Sequence, residues 1–306
     1  MDFNLAPLRY RNILSRDGGP IEKIEIRQLG AADKPEYEAV AFLSPALVPP
    51  WHRKSALYSG GHGGGTHKLR NIACHMAISE AMERWAFLGT FKGADAAQYG
   101  FDIDPSTSGM AAFPGLTTNT ARERSDWEAV ERWALPEWWD GRLSAVLSPG
   151  SNLQTGTLQI KLPFMNRKMV ITWSTLAIGK TAYGFAAADD TGSAILKAQI
   201  EKERNAVVLS RFDSGKSYST EDFIADKNRI LYDRRLVFFS TPDGKKVFWD
   251  KVTSTVSAKI TAQIPTKIVD REIPGAWSRY ATVWRTLYAS RAAGLVNETI
   301  HNIFVF

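Results

Sequence analysis

The sequence predicts a mixed α+β fold in which blocks of helix and strand alternate and three similar helices surround one site. Three observations carry this. The chain of 306 residues is 44% hydrophobic and 23% charged, the balance of a globular core rather than of disorder. A Gly- and Pro-free segment from Thr66 to Leu88, rich in Ala, Met, Glu and Arg, reads as a long helix between strand-like segments. Its pattern of small residues followed by Glu and Arg then recurs twice further along.

In chain order, residues 1–50 read as strands and loops, with Ile24–Ile26 and Val40–Leu43 in short alternating segments and Pro49-Pro50 as a break. The run Ser59-Gly60-Gly61-His62-Gly63-Gly64-Gly65 reads either as a flexible surface loop or as a set of backbone N–H groups for phosphate. It lacks the form of a P-loop. The helix over 66–88 follows, then a Gly/Pro/Ser-rich stretch over 90–118. A second helix starts near Asn119–Thr120, where Thr120-x-x-Glu123 has the form of a capping box, and ends before Pro136. Trp138-Trp139 are predicted to close that end by packing. Met169–Ile178 reads as a buried strand, and Asp189-Asp190-Thr191-Gly192 opens a third helix over about 193–211. Leu236–Ser240, Val247–Asp250, Ile260–Ile268 and Ile300–Phe306 read as strands. The whole is expected to be one domain: a strand-rich segment 1–50, a motif-bearing core 59–211, and a strand-rich part 212–306.

Thirty-eight Lys and Arg against 32 Asp and Glu give a net charge of +6. The excess is spread out, so charge predicts neither nucleic acid nor a membrane surface as partner. The single cysteine, Cys74, excludes an internal disulfide framework and reads as a structural thiol in a reducing compartment. The N-terminus lacks a secretory pattern and no apolar run reaches the roughly 20 residues needed to span a bilayer, so a cytoplasmic protein is expected. His62 and His67, across a glycine run, are poorly spaced for a metal site.

The first helix carries Ala73-x3-Ala77-x2-Glu80-x2-Glu83-Arg84, and the second Ala121-x3-Ser125-x2-Glu128-x2-Glu131-Arg132. The third carries Ala194-x3-Ala198-x2-Glu201-x2-Arg204. At about 100° per residue, Ala73, Ala77, Glu80 and Arg84 share one ridge. The rest of the first helix is apolar nearly all round, so it is expected to be buried. A buried carboxylate must be paired, hydrogen-bonded or on a metal, and the small residues beside it are expected to leave room for a ligand. Ordinary surface pairs at (i, i+4) are the plainer alternative, worth a few tenths of a kcal/mol each.

These stretches, 59–85, 106–139 and more weakly 183–204, resemble the YcaO family. In that family, helices bearing S-x3-E-x2-E-R and related motifs hold ATP and magnesium. The resemblance implies ATP-dependent activation of a peptide-bond oxygen in a ribosomally made peptide, giving an azoline, a thioamide or an amidine. It implies Glu80, Glu83, Glu128 and Glu131 as metal ligands. It adds Arg84 and Arg132, with Glu201 and Arg204, to the nucleotide site. Magnesium's preference for a few carboxylate oxygens plus phosphate and water suits such a set, as arginines suit phosphate.

The chain departs from the family pattern at several positions. Met76 stands where the family has Ser, and Thr120 and Arg124 where it has Glu and Gln, with Glu123 as a substitute. Thr66 falls on the usual lysine, with Lys68 nearby, and the proline-rich tail of azoline-forming members is absent. An atypical member is therefore implied, acting on a precursor peptide delivered by a separate protein, as a homodimer and without nucleic acid or membrane. A non-catalytic relative that binds a peptide or a partner protein is the alternative.

Overall fold

The computed structural model describes residues 2–29, 36–52, 55, 57, 58, 60–163, 165–215, 219–256, 259–289, 300 and 304. In order they form α1 (Ala6–Arg9), β1 (Ile21–Leu29), β2 (Glu36–Leu43), β3 (Gly63–His67), α2 (Arg70–Thr90), β4 (Met110–Phe113), α3 (Asn119–Trp139), β5 (Ala145–Leu147), β6 (Thr155–Ile160), β7 (Lys168–Thr175), β8 (Thr181–Ala188), α4 (Thr191–Gly215), α5 (Thr220–Ala225), α6 (Leu231–Ser240), α7 (Pro242–Thr255), β9 (Lys267–Glu272) and β10 (Thr282–Tyr288). The mixture is α+β with antiparallel sheets. Where the sequence suggests one domain, contacts divide the chain into two compact units: 1–54, 59–129 and 267–288 form the first, and 55–58, 130–266 and 289–306 the second.

In the first unit, β1, β2 and β3 form one sheet and β4, β10 and β9 another. Alternation along β2 turns Ala39, Ala41 and Leu43 inward, where α2 covers them. Ile21, Met82, Phe101 and Val283 complete this core. The expected strands at Ile24–Ile26 and Val40–Leu43 fall within β1 and β2. The glycine run is not a loop throughout: Gly63–Gly65 begin β3, pairing with Ala41, Val40 and Ala39. Consequently α2 starts at Arg70 rather than Thr66.

In the second unit, β5-β6-β7-β8 form an antiparallel sheet. The apolar segment from Met169 lies in β7 and is buried. Helix α4 covers β8 and begins as expected, with Asp190 accepting the Ser193 N–H at 2.9 Å.

Several expectations fail for identifiable reasons. Leu236–Ser240 and Val247–Asp250 belong to α6 and α7, not strands. A continuous apolar run is shared by buried strands and buried helices, and here all of Asp233–Ser240 is buried. Thr241 then caps α7, accepting the Gly244 N–H at 3.2 Å with Pro242 in the first turn. Pro136 lies inside α3 rather than beyond its end, and Thr120 sits within the helix rather than at its cap. The turns around Pro136 are held by packing. Trp138 and Trp139 are buried against Phe248, Phe239 and Phe304, and Trp138 Nε1 donates to Thr255 Oγ1 at 2.8 Å. Of Ile260–Ile268, only Lys267 and Ile268 enter a strand, β9. Ile300–Phe306 falls outside the described residues except for Ile300 and buried Phe304.

Candidate functional site

The first unit builds its charged cluster from a close strand–helix contact. Ala73, Ala77 and Ala81 are fully buried beneath β3. A Cβ on Gly63 would lie 2.0 Å from the Ala77 carbonyl oxygen, and one on Gly65 2.2 Å from that of Ala73. The small residues therefore serve backbone approach and do not leave room for a ligand, contrary to the expectation. At this distance the Gly64 N–H donates to Glu80 Oε2 at 2.8 Å. The other Glu80 oxygen faces Arg84 Nη2 at 3.4 Å, and Arg84 also donates to the Thr107 hydroxyl. The loop holding Thr107 is tied down from below. Buried Arg285 donates to the carbonyls of Asp104 (2.7 Å) and Ser106 (2.9 Å) and lies 4.0 Å from the Phe101 ring. Burial lowers its pKa to about 10.

One turn beyond Glu80, Glu83 accepts the Ala112 N–H of β4 at 3.0 Å. Its carboxyl pKa is pushed well above the ordinary range, first by loss of water and then by the neighbouring carboxylates of Glu128 and Glu80. Arg84 opposes that shift. Three of the four expected metal ligands thus share one electrostatic environment in this unit. Arg124, at the position of the family's Gln, places its guanidinium 4.7 Å from the Phe113 ring. Buried Tyr10 is hydrogen-bonded through its hydroxyl to Ser79 at 2.8 Å.

The second unit repeats the contact. A Cβ on Gly184 would lie 2.0 Å from the Ala198 carbonyl oxygen, and the Phe185 N–H donates to Glu201 Oε2 at 2.8 Å. Each of these residues is 121 positions from its counterpart (184 − 63, 198 − 77, 201 − 80). Glu131 accepts the Ala187 N–H of the same strand, β8, at 2.6 Å. Arg132 lies 6.0 Å from the Phe185 ring. Glu201, Arg132 and Arg204 act on a buried tyrosine pair. The Tyr58 hydroxyl donates to Asn205 Oδ1 at 2.6 Å and lies 3.3 Å from that of Tyr232. Burial first, then Glu201, pushes Tyr232 up to about 12. No local pattern marks Tyr58, Asn205 or Tyr232, because the contact joins residues 147 and 174 positions apart.

The eight expected site residues thus fall into two sets: Glu80, Glu83, Arg84 and Glu128 in the first unit, and Glu131, Arg132, Glu201 and Arg204 in the second. Met76 is exposed, and Cys74 is half-buried. His62 and His67 accept the N–H groups of Leu43 (3.2 Å) and Leu69 (2.9 Å) through Nδ1. Among the described residues, no group of three or more His, Cys, Asp or Glu side chains is placed to hold a metal ion. Carboxylate oxygens such as those of Glu80, Glu83 and Glu128 are of the kind magnesium takes, but the described residues do not bring three of them together on one ion.

No family model matches the chain, and comparison with curated proteins finds no match. Among solved structures, the chain is similar to one in the E. coli microcin synthetase McbBCD complex with pro-MccB17 bound. The TM-score is 0.52 at 13% identity, over 87% of each chain. The likeness is one of fold. Among the described residues no helix is long and apolar enough to cross a membrane.

Proposed function

We propose that the protein is a YcaO-like enzyme that uses ATP and Mg²⁺ to activate backbone amides of a ribosomally made peptide. The observation that carries this reading is the Glu80-x2-Glu83-Arg84 motif of α2, whose Glu83 is held by the Ala112 N–H and has Glu80 and Glu128 as like-charged neighbours. Such a like-charge group is costly unless it serves a cation or a proton. Glu80, Glu83 and Glu128 are the residues to hold magnesium and Arg84 to neutralise phosphate; for Arg132 and Arg204, in the second unit, a phosphate role rests on the family resemblance alone. ATP, when bound, supplies the phosphoryl group that turns an amide oxygen into a leaving group. The chain's own part is positioning and electrostatics. Gly64 and Ala112 fix the Glu80 and Glu83 carboxylates, Arg84 is set between Glu80 and Thr107, and Arg285 holds the loop carrying Thr107. A precursor peptide as substrate, a separate protein to deliver it, a homodimer and a cytoplasmic location belong to the same proposal. The fold shared with a microcin synthetase supports it.

A second reading, a non-catalytic peptide- or partner-binding protein, draws on one observation. Glu80, Glu83, Glu131 and Glu201 each accept a backbone N–H from a strand, which gives all four a structural task. Calorimetric titration with ATP and Mg²⁺ separates the two. The enzyme reading expects binding that Glu83→Gln and Glu128→Gln each weaken about tenfold or more, the equivalent of about 1.4 kcal/mol. No binding by the folded wild-type protein refutes it and leaves the second reading.

A further inference from the structure

Residues on and just after α1 and the turn before β10 line an open pocket of about 280 Å³. It is lined by Leu8, Arg9, Arg11, Asn12, Arg279 and Tyr280, all within the first unit. The three arginines decide its character. Guanidinium groups stay charged at any physiological pH, and three on one pocket repel one another. Among the described residues, none of the three has an acidic partner. Arg9 donates only a long bond to the Ser278 carbonyl oxygen (3.5 Å), and Arg279 lies 5.6 Å from the Tyr280 ring. Arg11 and Arg279 are exposed. Elsewhere in the same unit, exposed cations do have acids: Arg122 pairs with Asp270 and Lys267 with Asp126. Among the described residues, none pairs an acid with the arginines of this pocket.

The rest of the lining narrows the ligand. The volume is below the roughly 300–1,000 Å³ of sites that enclose a whole small molecule, and fits one or two side chains of a longer chain. Exposed apolar side chains stand on the same N-terminal segment as the pocket's Leu8. Leu8 is 67% exposed, and Phe3 (72%) and Leu116 (65%) adjoin one another where the Leu116 N–H donates to the Phe3 carbonyl oxygen. Large apolar side chains left in water beside arginines mark a contact surface.

We propose that this pocket docks an acidic peptide segment. Its Asp or Glu carboxylates would sit on Arg9, Arg11 and Arg279, and a neighbouring apolar side chain on Leu8. That the occupant is a peptide rests on the function proposed above; the basic pocket itself does not. Planar guanidinium forks match carboxylates bidentately, and exposure makes the contact dependent on salt.

The test is fluorescence anisotropy with the full chain and a labelled synthetic peptide alternating Asp or Glu with Leu or Phe. A peptide with Asn and Gln in place of the acids is the comparison. The acidic peptide should bind more weakly as salt rises, and the neutral one should not bind. Arg11→Glu with Arg279→Glu should weaken binding about tenfold or more, since both attractions become repulsions. The charge-matched pair Lys227→Glu with Lys246→Glu, exposed residues of the second unit, should change it less than about twofold. Equal losses in the two variants, or equal binding of the neutral peptide, overturn the proposal. So does calorimetric binding of inorganic phosphate with no binding of the peptide, which makes this a site for small oxyanions. Circular dichroism checks that both variants fold. MgATP titration of the Arg11→Glu/Arg279→Glu protein should match wild type, so failure at this pocket and failure of the nucleotide site register separately.

Discussion

Replacing Gly63 with alanine tests whether the glycine run is a packing device. The added methyl would sit 2.0 Å from the Ala77 carbonyl oxygen and 2.5 Å from the Ala81 nitrogen, both helix backbone. No rotamer change relieves such a contact, so β3 must move off α2. Overpacking of this kind costs about 1–3 kcal/mol. Moving the strand also stretches the adjacent Gly64 N–H bond to Glu80, and a bond to a charged group contributes about 1.5–3 kcal/mol when buried. The Glu80 side chain is 33% exposed, so the lower part of that range applies. Losing a glycine restricts the unfolded chain and returns about 0.4–1 kcal/mol. The net expectation is a loss of about 2–3 kcal/mol. Chemical denaturation followed by tryptophan fluorescence measures it, and hydrogen exchange at the Gly64 amide should accelerate with it. Because the obstacle is a carbonyl oxygen, adding Ala77→Gly should not rescue the variant. A Gly63→Ala protein within about 0.5 kcal/mol of wild type, or rescue by Ala77→Gly, refutes the reasoning.

Three further outcomes are expected. Glu83, held above its ordinary 4.5, binds its proton more tightly when folded, so its contribution is fully present below about pH 4.5 and fades as pH rises through the raised folded value. Glu83→Gln should flatten that decline in a series of thermal melts across pH, and an unchanged decline would show that the like-charge cluster is not its origin. Phe304, fully buried and in ring contact with Trp138, Trp139, Tyr183, Phe239 and Phe248, should cost about 3–5 kcal/mol on truncation to alanine, read by urea denaturation. Tyr58→Phe removes the donor to Asn205 Oδ1 and should cost about 1–2 kcal/mol by the same assay; a neutral result would mean that water takes the hydroxyl's place.

What the sequence makes legible follows the range of the interaction. Helix α4 is marked by Asp190 three residues before Ser193, and β7 by its β-branched apolar run, both local features. The burial of Ala73, Ala77, Ala194 and Ala198 follows from their shared ridges. Their purpose does not, because it depends on Gly63, Gly65 and Gly184 arriving from strands that the glycine content itself disguises. Leu236–Ser240 misleads because hydrophobicity on every side erases the period separating helix from strand. At the candidate site, spacing brings out Glu80, Glu83 and Glu128, while Thr107, Tyr58, Asn205 and Tyr232 come from distant parts of the chain.

The two strand–helix contacts explain why so similar a motif carries different charges. Gly63 with Ala77 and Gly184 with Ala198 set the same backbone spacing, and Glu80 and Glu201 accept strand N–H groups at the same 2.8 Å. Three residues beyond the stapling glutamate, almost one helical turn on, the chain is free to vary what it presents. The first unit places Glu83 there, among two other carboxylates; the second, 121 positions later (204 − 83), places Arg204, near a tyrosine pair. In both contacts the first glutamate is held by a strand N–H, and the charge three residues on differs between them. The same reasoning ranks the glutamates: substitution of Glu80 or Glu201 should act mainly through the fold, whereas Glu83 can be neutralised with its hydrogen bond to Ala112 retained.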